Sequence, residues 1–141
     1  MLWFWPNVDA GADGTSTGIR AFREKYDLTN FHFFKNMEPN DFLKLLVNSK
    51  GLIGNSSVGI RECAFLGVPV INIGSRQNAR DRGANVIDVD YQKEEIKAAM
   101  RKHESQPKSI SSNVYGGGDA GIKIADLLAK LELKFHKTIT Y

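Results

Sequence analysis

Within residues 51–82, GLIGNSSVGIRECAFLGVPVINIGSRQNARDR, polar residues stand at spacings that suit an anion and a sugar. Ser56 and Ser57 follow Gly54 and Asn55 at a turn signal, where a serine oxygen can accept from the first free amides of a helix. Such a helix start carries unpaired N–H groups and roughly half a positive charge, so a phosphate can sit there without a basic side chain. Gly59, in the first turn, would keep the approach open. Glu62, one turn further in, can accept from both hydroxyls of a ribose, and Arg76 can offer a fork to a diphosphate. Together these residues imply a nucleoside diphosphate or a sugar nucleotide. A plainer alternative stands beside that reading. A turn and a helix follow a strand in α/β proteins generally, and neither G-x-G-x-x-G nor a Walker lysine is present. Cys63 reads as a small core residue of the helix, and Arg61 as a solvated neighbour.

These residues need a strand before them, a helix beneath them and a strand after them. Leu52 and Ile53 form the first strand, and Ile60, Cys63 and Ala64 share one helix face. Gly67 is placed to end that helix in the left-handed conformation, Pro69 bars its continuation, and residues 70–73 follow as a strand. Earlier in the chain, residues 2–5 read as a strand with a polar exit loop. Asn7 and Asp9 are candidates for the rim of a site there, because ligands collect outside the carboxyl ends of strands; plain turn chemistry is the competing reading. A helix over residues 13–25 is expected to turn Ile19, Phe22 and Tyr26 inward. A second strand covers residues 31–34, in which His32 fills a strand face. A helix over residues 41–47 follows, capped by Asn40. Residues 86–89 give a fifth strand. The next helix runs to Met100 with Ile96, Ala99 and Met100 inward, and a Gly116-Gly117-Gly118 turn precedes a last amphipathic helix around Ile122, Ala125, Leu128 and Leu131. That glycine triplet could cradle a phosphate or be only a turn. Short strands alternating with helices predict an α/β fold, a doubly wound parallel sheet.

The whole chain bounds the function. Its 141 residues, 42% of them apolar, suffice for one domain with a core, taken here as residues 1–133 with a tail at 134–141. A net charge of +3, spread along the sequence, argues against nucleic acid as a partner and suits an anionic small molecule. The single cysteine rules out an internal disulfide and makes a reducing, cytoplasmic setting the default. No membrane partner is expected from the short apolar opening, which is neither a span nor a signal peptide. The three histidines are scattered, so no metal site is expected, and no cofactor.

The run GNSSVGIRECAFLGVPVINIGSRQNARDRGANVI resembles the UDP-N-acetylglucosamine 2-epimerases of the hydrolysing branch, whose pattern is close to G-N-S-S-x-G-I-x-E, then G-x-P-V-I-N-I-G-x-R-Q-x-G-R, then N-V-I. WPNVDAG and NVYGGGDAGIKIADLL extend the likeness toward both ends. The resemblance implies a Rossmann-like doubly wound domain, the C-terminal half of a B-type glycosyltransferase-like fold. Its first strand-helix unit and its N-terminal domain would be absent here. By that likeness Ser56, Ser57 and the amides that follow, Gly59 among them, would hold the diphosphate. Glu62 would hold the ribose, and Arg76 with Gln77 the phosphate side of the cleft. Asn7 would approach the ligand from the first strand end, and Phe34 would lie near the uracil. Ala79 stands where the pattern has glycine, which puts the local turn in question.

The implied reaction is anti-elimination of UDP from UDP-N-acetylglucosamine through a 2-acetamidoglucal, followed by water addition to give N-acetylmannosamine. It would serve sialic acid or surface polysaccharide synthesis. The family's acid/base carboxylates lie in its N-terminal domain, so no catalytic residue is assigned to this chain. Alone it is expected to bind UDP and turn over no substrate, the missing N-terminal domain being its partner, with a homo-oligomer left open. Two other readings share the same nucleotide-facing residues: half of a glycosyltransferase, and a non-catalytic regulatory module that holds a UDP-sugar.

Overall fold

The computed structural model describes residues 1–7 and 12–132. Asp9 and the tail therefore lie outside the described residues. The chain forms two compact units, one up to Leu45 and one from Leu46 onward.

In the first unit, β1 (Leu2–Phe4) and β2 (His32–Phe34) pair in parallel, Trp3 opposite Phe33 and Phe4 opposite Phe34. Between them runs α1 (Ala12–Lys25). Successive strand residues point to opposite faces, and the aromatic rings follow that alternation. Trp3 stacks on Phe33 at 5.8 Å between centroids and meets Phe22 of α1 at 5.5 Å. Phe4 stacks on Phe34 at 5.5 Å and meets Phe42 edge-on at 5.1 Å. Phe42 belongs to α2 (Pro39–Asn48), so one helix covers each face of the strand pair, the doubly wound arrangement in its smallest form. Ile19 is buried as expected; Tyr26 is exposed, its ring tilted against that of Phe22 at 4.9 Å between centroids. His32 sits on β2 but is exposed, so it packs no core. The cap of α2 also differs from the expectation. Asn40 lies inside the helix, and the Glu38 carboxylate accepts from the amides of Asn40 at 2.8 Å and Asp41 at 3.3 Å. Pro39 opens the helix, where its missing N–H costs nothing.

In the second unit, β3 (Leu52–Gly54), β4 (Val70–Ile73) and β5 (Val86–Val89) form a parallel sheet with β4 in the centre. Leu52 pairs with Val70 and Val70 with Val86. The five strands anticipated from sequence are present and parallel, but they pair as a two-stranded and a three-stranded sheet. The helix between β3 and β4 is not continuous: α3 (Ser57–Ile60) and α4 (Glu62–Leu66) meet at Arg61, whose ψ of −73° departs from helical geometry. Ile60 on one side of the bend and Cys63 and Ala64 on the other are all wholly buried, so the break keeps both short pieces against the core. Gly67 ends α4 at φ 65°, and Ser109 O comes so near its Cα that no side chain would fit. The segment after α5 (Lys93–Glu104) runs across this end. Ser111 Oγ donates to Phe65 O, and Ser112 N–H donates to Ala64 O at 2.9 Å, satisfying carbonyls that a helix end leaves open. Val68, Val70, Ile71 and Ala99 of α5 complete the core. The last helix, α6 (Ala120–Lys130), forms where the spacing predicts it, yet it buries none of its residues; Ile122, Ile124, Leu127 and Leu128 are all more than half exposed.

Candidate functional site

The turn leaving β3 is built around one carbonyl. Asn55 O accepts from Gln77 Nε2 at 2.7 Å and from Arg76 Nη1 at 3.3 Å, which ties the loop leaving β4 to the start of α3. Ser56, extended at φ −71° and ψ 143°, is the N-cap of α3, its Oγ accepting a long 3.4 Å bond from Val58 N–H. Thus Ser56, Ser57, Arg76 and Gln77 come together at the carboxyl ends of β3 and β4, the end of a parallel sheet where ligands collect. Arg76 and Gln77 brace the turn in this state. Gln77 is 2% exposed, and its amide oxygen finds no partner among the described residues.

Glu62 opens α4, half-buried, and its Oε2 is sealed from solvent without a hydrogen-bond partner among the described residues. A shielded carboxylate oxygen without a donor is costly. Cys63 beside it is no nucleophile: burial, with the Glu62 charge added, pushes its thiol up to about 12, leaving it a protonated core residue as its sequence context suggests.

Gly59 also has a packing task that its sequence context does not reveal. A Cβ on it would stand 2.8 Å from Val70 Cγ1 and 3.3 Å from Leu52 Cδ2, so the bare Cα lets α3 lie directly on β3 and β4. It faces the sheet, and its N–H is spent on Ser56 O at 3.1 Å. The bare Cα of Gly59 therefore serves the packing of α3 on the sheet. Asn7 and Phe34 lie in the first unit. Asn7 is exposed beyond β1, and Phe34 ends β2 half-buried, its ring held against Phe4.

Several residues that sequence reasoning passed over hold the site's frame. Asn85, 1% exposed, donates through Nδ2 to Val68 O at 3.0 Å and reaches Gly59 O at 3.5 Å, while its backbone carbonyl accepts from Val70 N–H. Asn72, opposite Gly54 on one side and Asp88 on the other, donates to Asp88 Oδ1 at 2.6 Å. Arg82 grips both oxygens of Asp88, at 3.0 and 3.2 Å, as well as the carbonyls of Gln77 and Arg80. Burial raises the Asp88 carboxyl, but the bonds from Arg82 and Asn72 and the Arg82 charge outweigh it and hold it below the usual carboxylate range. The signal available was a charged residue inside an apolar strand, Asp88 in VIDV, which asks for a partner. Ala79 lies in the same loop at φ 62°, so the turn that the glycine of the pattern would make is made here by alanine. Among the described residues no group of His, Cys, Asp and Glu is arranged to hold a metal, and no helix is long and apolar enough to cross a membrane.

A family model described as UDP-N-acetylglucosamine 2-epimerase matches residues 5–129, most of the chain. The chain belongs to the UDP-N-acetylglucosamine 2-epimerase family. It is 36% identical over 128 residues to the UDP-N,N'-diacetylbacillosamine 2-epimerase (hydrolyzing) of Legionella pneumophila, and 35% identical over 119 residues to the UDP-N-acetylglucosamine 2-epimerase of Neisseria meningitidis. It is also 41% identical over 96 residues to the polysialic acid biosynthesis protein P7 of Escherichia coli. These matches cover 91%, 84% and 68% of this chain but 33%, 30% and 24% of the relatives, so the chain spans about a third or less of their length. The epimerase-family match takes in both units described above.

Proposed function

We propose that this chain is the UDP-holding, C-terminal Rossmann-like part of a hydrolysing UDP-N-acetylglucosamine 2-epimerase, residues 1–133 forming that domain. In this reading the diphosphate sits at Ser56 and Ser57 with Arg76 and Gln77 alongside, and Glu62 accepts from the ribose hydroxyls. Asn7 and Phe34, both in the first unit, join the proposed ligand contacts on the family likeness alone. The observation that carries the reading is the partnerless Oε2 of half-buried Glu62, which opens α4 six residues after the Ser56 cap and just past the break at Arg61.

The domain serves the leaving-group half of the reaction. Donors aimed at the departing diphosphate stabilise charge as the C–O bond at the anomeric carbon breaks. The base that takes the proton from C2, and the step that adds water, belong to the N-terminal domain that completes the enzyme, so the chain alone releases no N-acetylmannosamine. The exposed apolar row of α6 supports a chain that packs against further polypeptide. The acetamido sugar and a cytoplasmic role in surface polysaccharide synthesis follow from the same family reading.

Titration with UDP and with 2′-deoxy-UDP tests the assignment of Glu62. The wild-type chain is expected to bind UDP more tightly, and Glu62→Gln to lose most of that preference. Equal affinity for the two ligands would remove Glu62 from the ribose, and release of N-acetylmannosamine by the chain at enzyme-like rates would overturn its assignment as half an enzyme.

A further inference from the structure

The loop of residues 74–85 carries Arg76 and Gln77 but has no helix of its own, and Ala79 within it holds a backbone conformation that alanine avoids. A polar, partly strained loop of this length needs an external brace to keep two side chains on one carbonyl. The brace is Arg82. Its side chain is about three-quarters shielded, and its guanidinium reaches three separate partners: the Asp88 carboxylate on β5, Gln77 O at 2.9 Å and Arg80 O at 2.6 Å. A planar fork of five donors can span such a set, whereas a lysine ammonium acts as a point charge. Asp88 is itself fixed from behind by Asn72 of the central strand, so the chain of bonds runs from β4 through β5 to the loop. On the other flank, Tyr115 OH donates to Asp81 O at 3.0 Å, pinning the residue next to Arg82 from the segment before α6. Arg82 falls between the R-Q-x-G-R and N-V-I segments of the family pattern, and Asp88 lies just beyond it.

We propose that Arg82 is the positioning residue of the site. By locking Gln77 O and Arg80 O to Asp88, it holds Arg76 and Gln77 on the Asn55 carbonyl and so fixes the turn of Ser56 and Ser57 that would receive the diphosphate. The effect on the loop stands by itself; the effect on ligand affinity rests on the UDP reading above.

The experiment compares the full 141-residue chain with Arg82→Met, Arg82→Lys and Asp88→Asn by amide hydrogen exchange and by UDP titration. Arg82→Met is expected to raise exchange across residues 75–82 by about ten- to a hundredfold, the scale of losing hydrogen bonds to a charged group, while β4 and β5 amides stay within about twofold. Arg82→Lys should fall between, because it keeps the charge but cannot bridge three partners. Asp88→Asn should reproduce most of the loop effect, and adding it to Arg82→Met should change little more. UDP affinity should fall about tenfold in Arg82→Met. Loop exchange unchanged from wild type in Arg82→Met and Arg82→Lys would overturn the proposal. So would a rise shared equally by β4 and β5, which would make Arg82 a general stabiliser. A loosened loop with undiminished UDP affinity would overturn the positioning role as well. If the wild-type chain binds no UDP, the UDP reading fails, while the exchange data still decide whether Arg82 holds the loop.

Discussion

Gly59→Ala separates a glycine kept for packing from one kept for a ligand. The added methyl would stand 2.8 Å from Val70 Cγ1 and 3.3 Å from Leu52 Cδ2, and Val70, at 1% exposure, has no open space to turn into. Overpacking of this kind costs about 1–3 kcal/mol, and the better helix propensity of alanine returns at most about 1 kcal/mol. The expected net loss is about 1–2 kcal/mol. Val70→Ala removes the obstructing methyl, and the methyl added by Gly59→Ala would fill part of the space it leaves. The double variant should therefore be more stable than the sum of the two single losses by about 1 kcal/mol, within the range of couplings between touching residues. Urea unfolding should be followed by far-UV circular dichroism, because Trp3 and Trp5 both lie in the first unit and their fluorescence reports on that unit. An unchanged midpoint in Gly59→Ala, together with weakened UDP binding, would refute the packing argument and favour a ligand-facing role.

Two further outcomes follow from the loop of residues 74–85. Ala79→Gly should stabilise the chain by about 0.5–1 kcal/mol: a left-handed non-glycine residue costs about 1–2 kcal/mol, and the extra freedom of glycine in the unfolded chain returns part of that. A downward shift of the urea midpoint would contradict the left-handed turn. The Asp88 carboxyl is held low in the folded chain, so its contribution is fully present above the unfolded value near about 4 and is lost as pH falls through the folded value. Asp88→Asn should therefore flatten the acid-side loss of stability below about pH 4 and leave the slope near neutrality unchanged; because the carboxylate is half exposed, screening keeps the effect modest. Equal acid slopes in the two proteins would count against the Arg82 grip.

Much of the second unit was legible in the chain because its signals are local. Val70 to Ile73 and Val86 to Val89 are apolar runs bounded by turn residues, and both strands form over those residues. The Ser56 cap and the Gly67 stop depend only on neighbours along the backbone, and both are found as read. What escaped depends on contacts and backbone bends that periodicity and cap preferences do not record. The bend at Arg61 does not show in helical spacing, which Ile60, Cys63 and Ala64 satisfy whether or not the helix is continuous. The packing of Gly59 on Val70, 11 positions later, has no sign in the spacing. Arg82 reads as one of four arginines between positions 61 and 82, and only folding puts Asp88 within its reach. Glu38 displaced Asn40 as the cap of α2 because a glutamate one residue before Pro39 can bend back onto the first amides, an option that a list of favoured cap residues ranks low. The outward apolar side chains of α6 show the limit of periodicity, which identifies an amphipathic helix without naming what covers it.

The central claim is that this chain carries the diphosphate seat of the family, and its most direct test is a calorimetric titration of the 141-residue chain with UDP beside uridine, repeated with Arg76→Ala. Saturable UDP binding, at least about tenfold tighter than uridine and reduced toward the uridine level by Arg76→Ala, is the predicted result, the difference reflecting charge-assisted bonds to the diphosphate. Equal binding of UDP and uridine by the folded chain, or no binding of either, would contradict it.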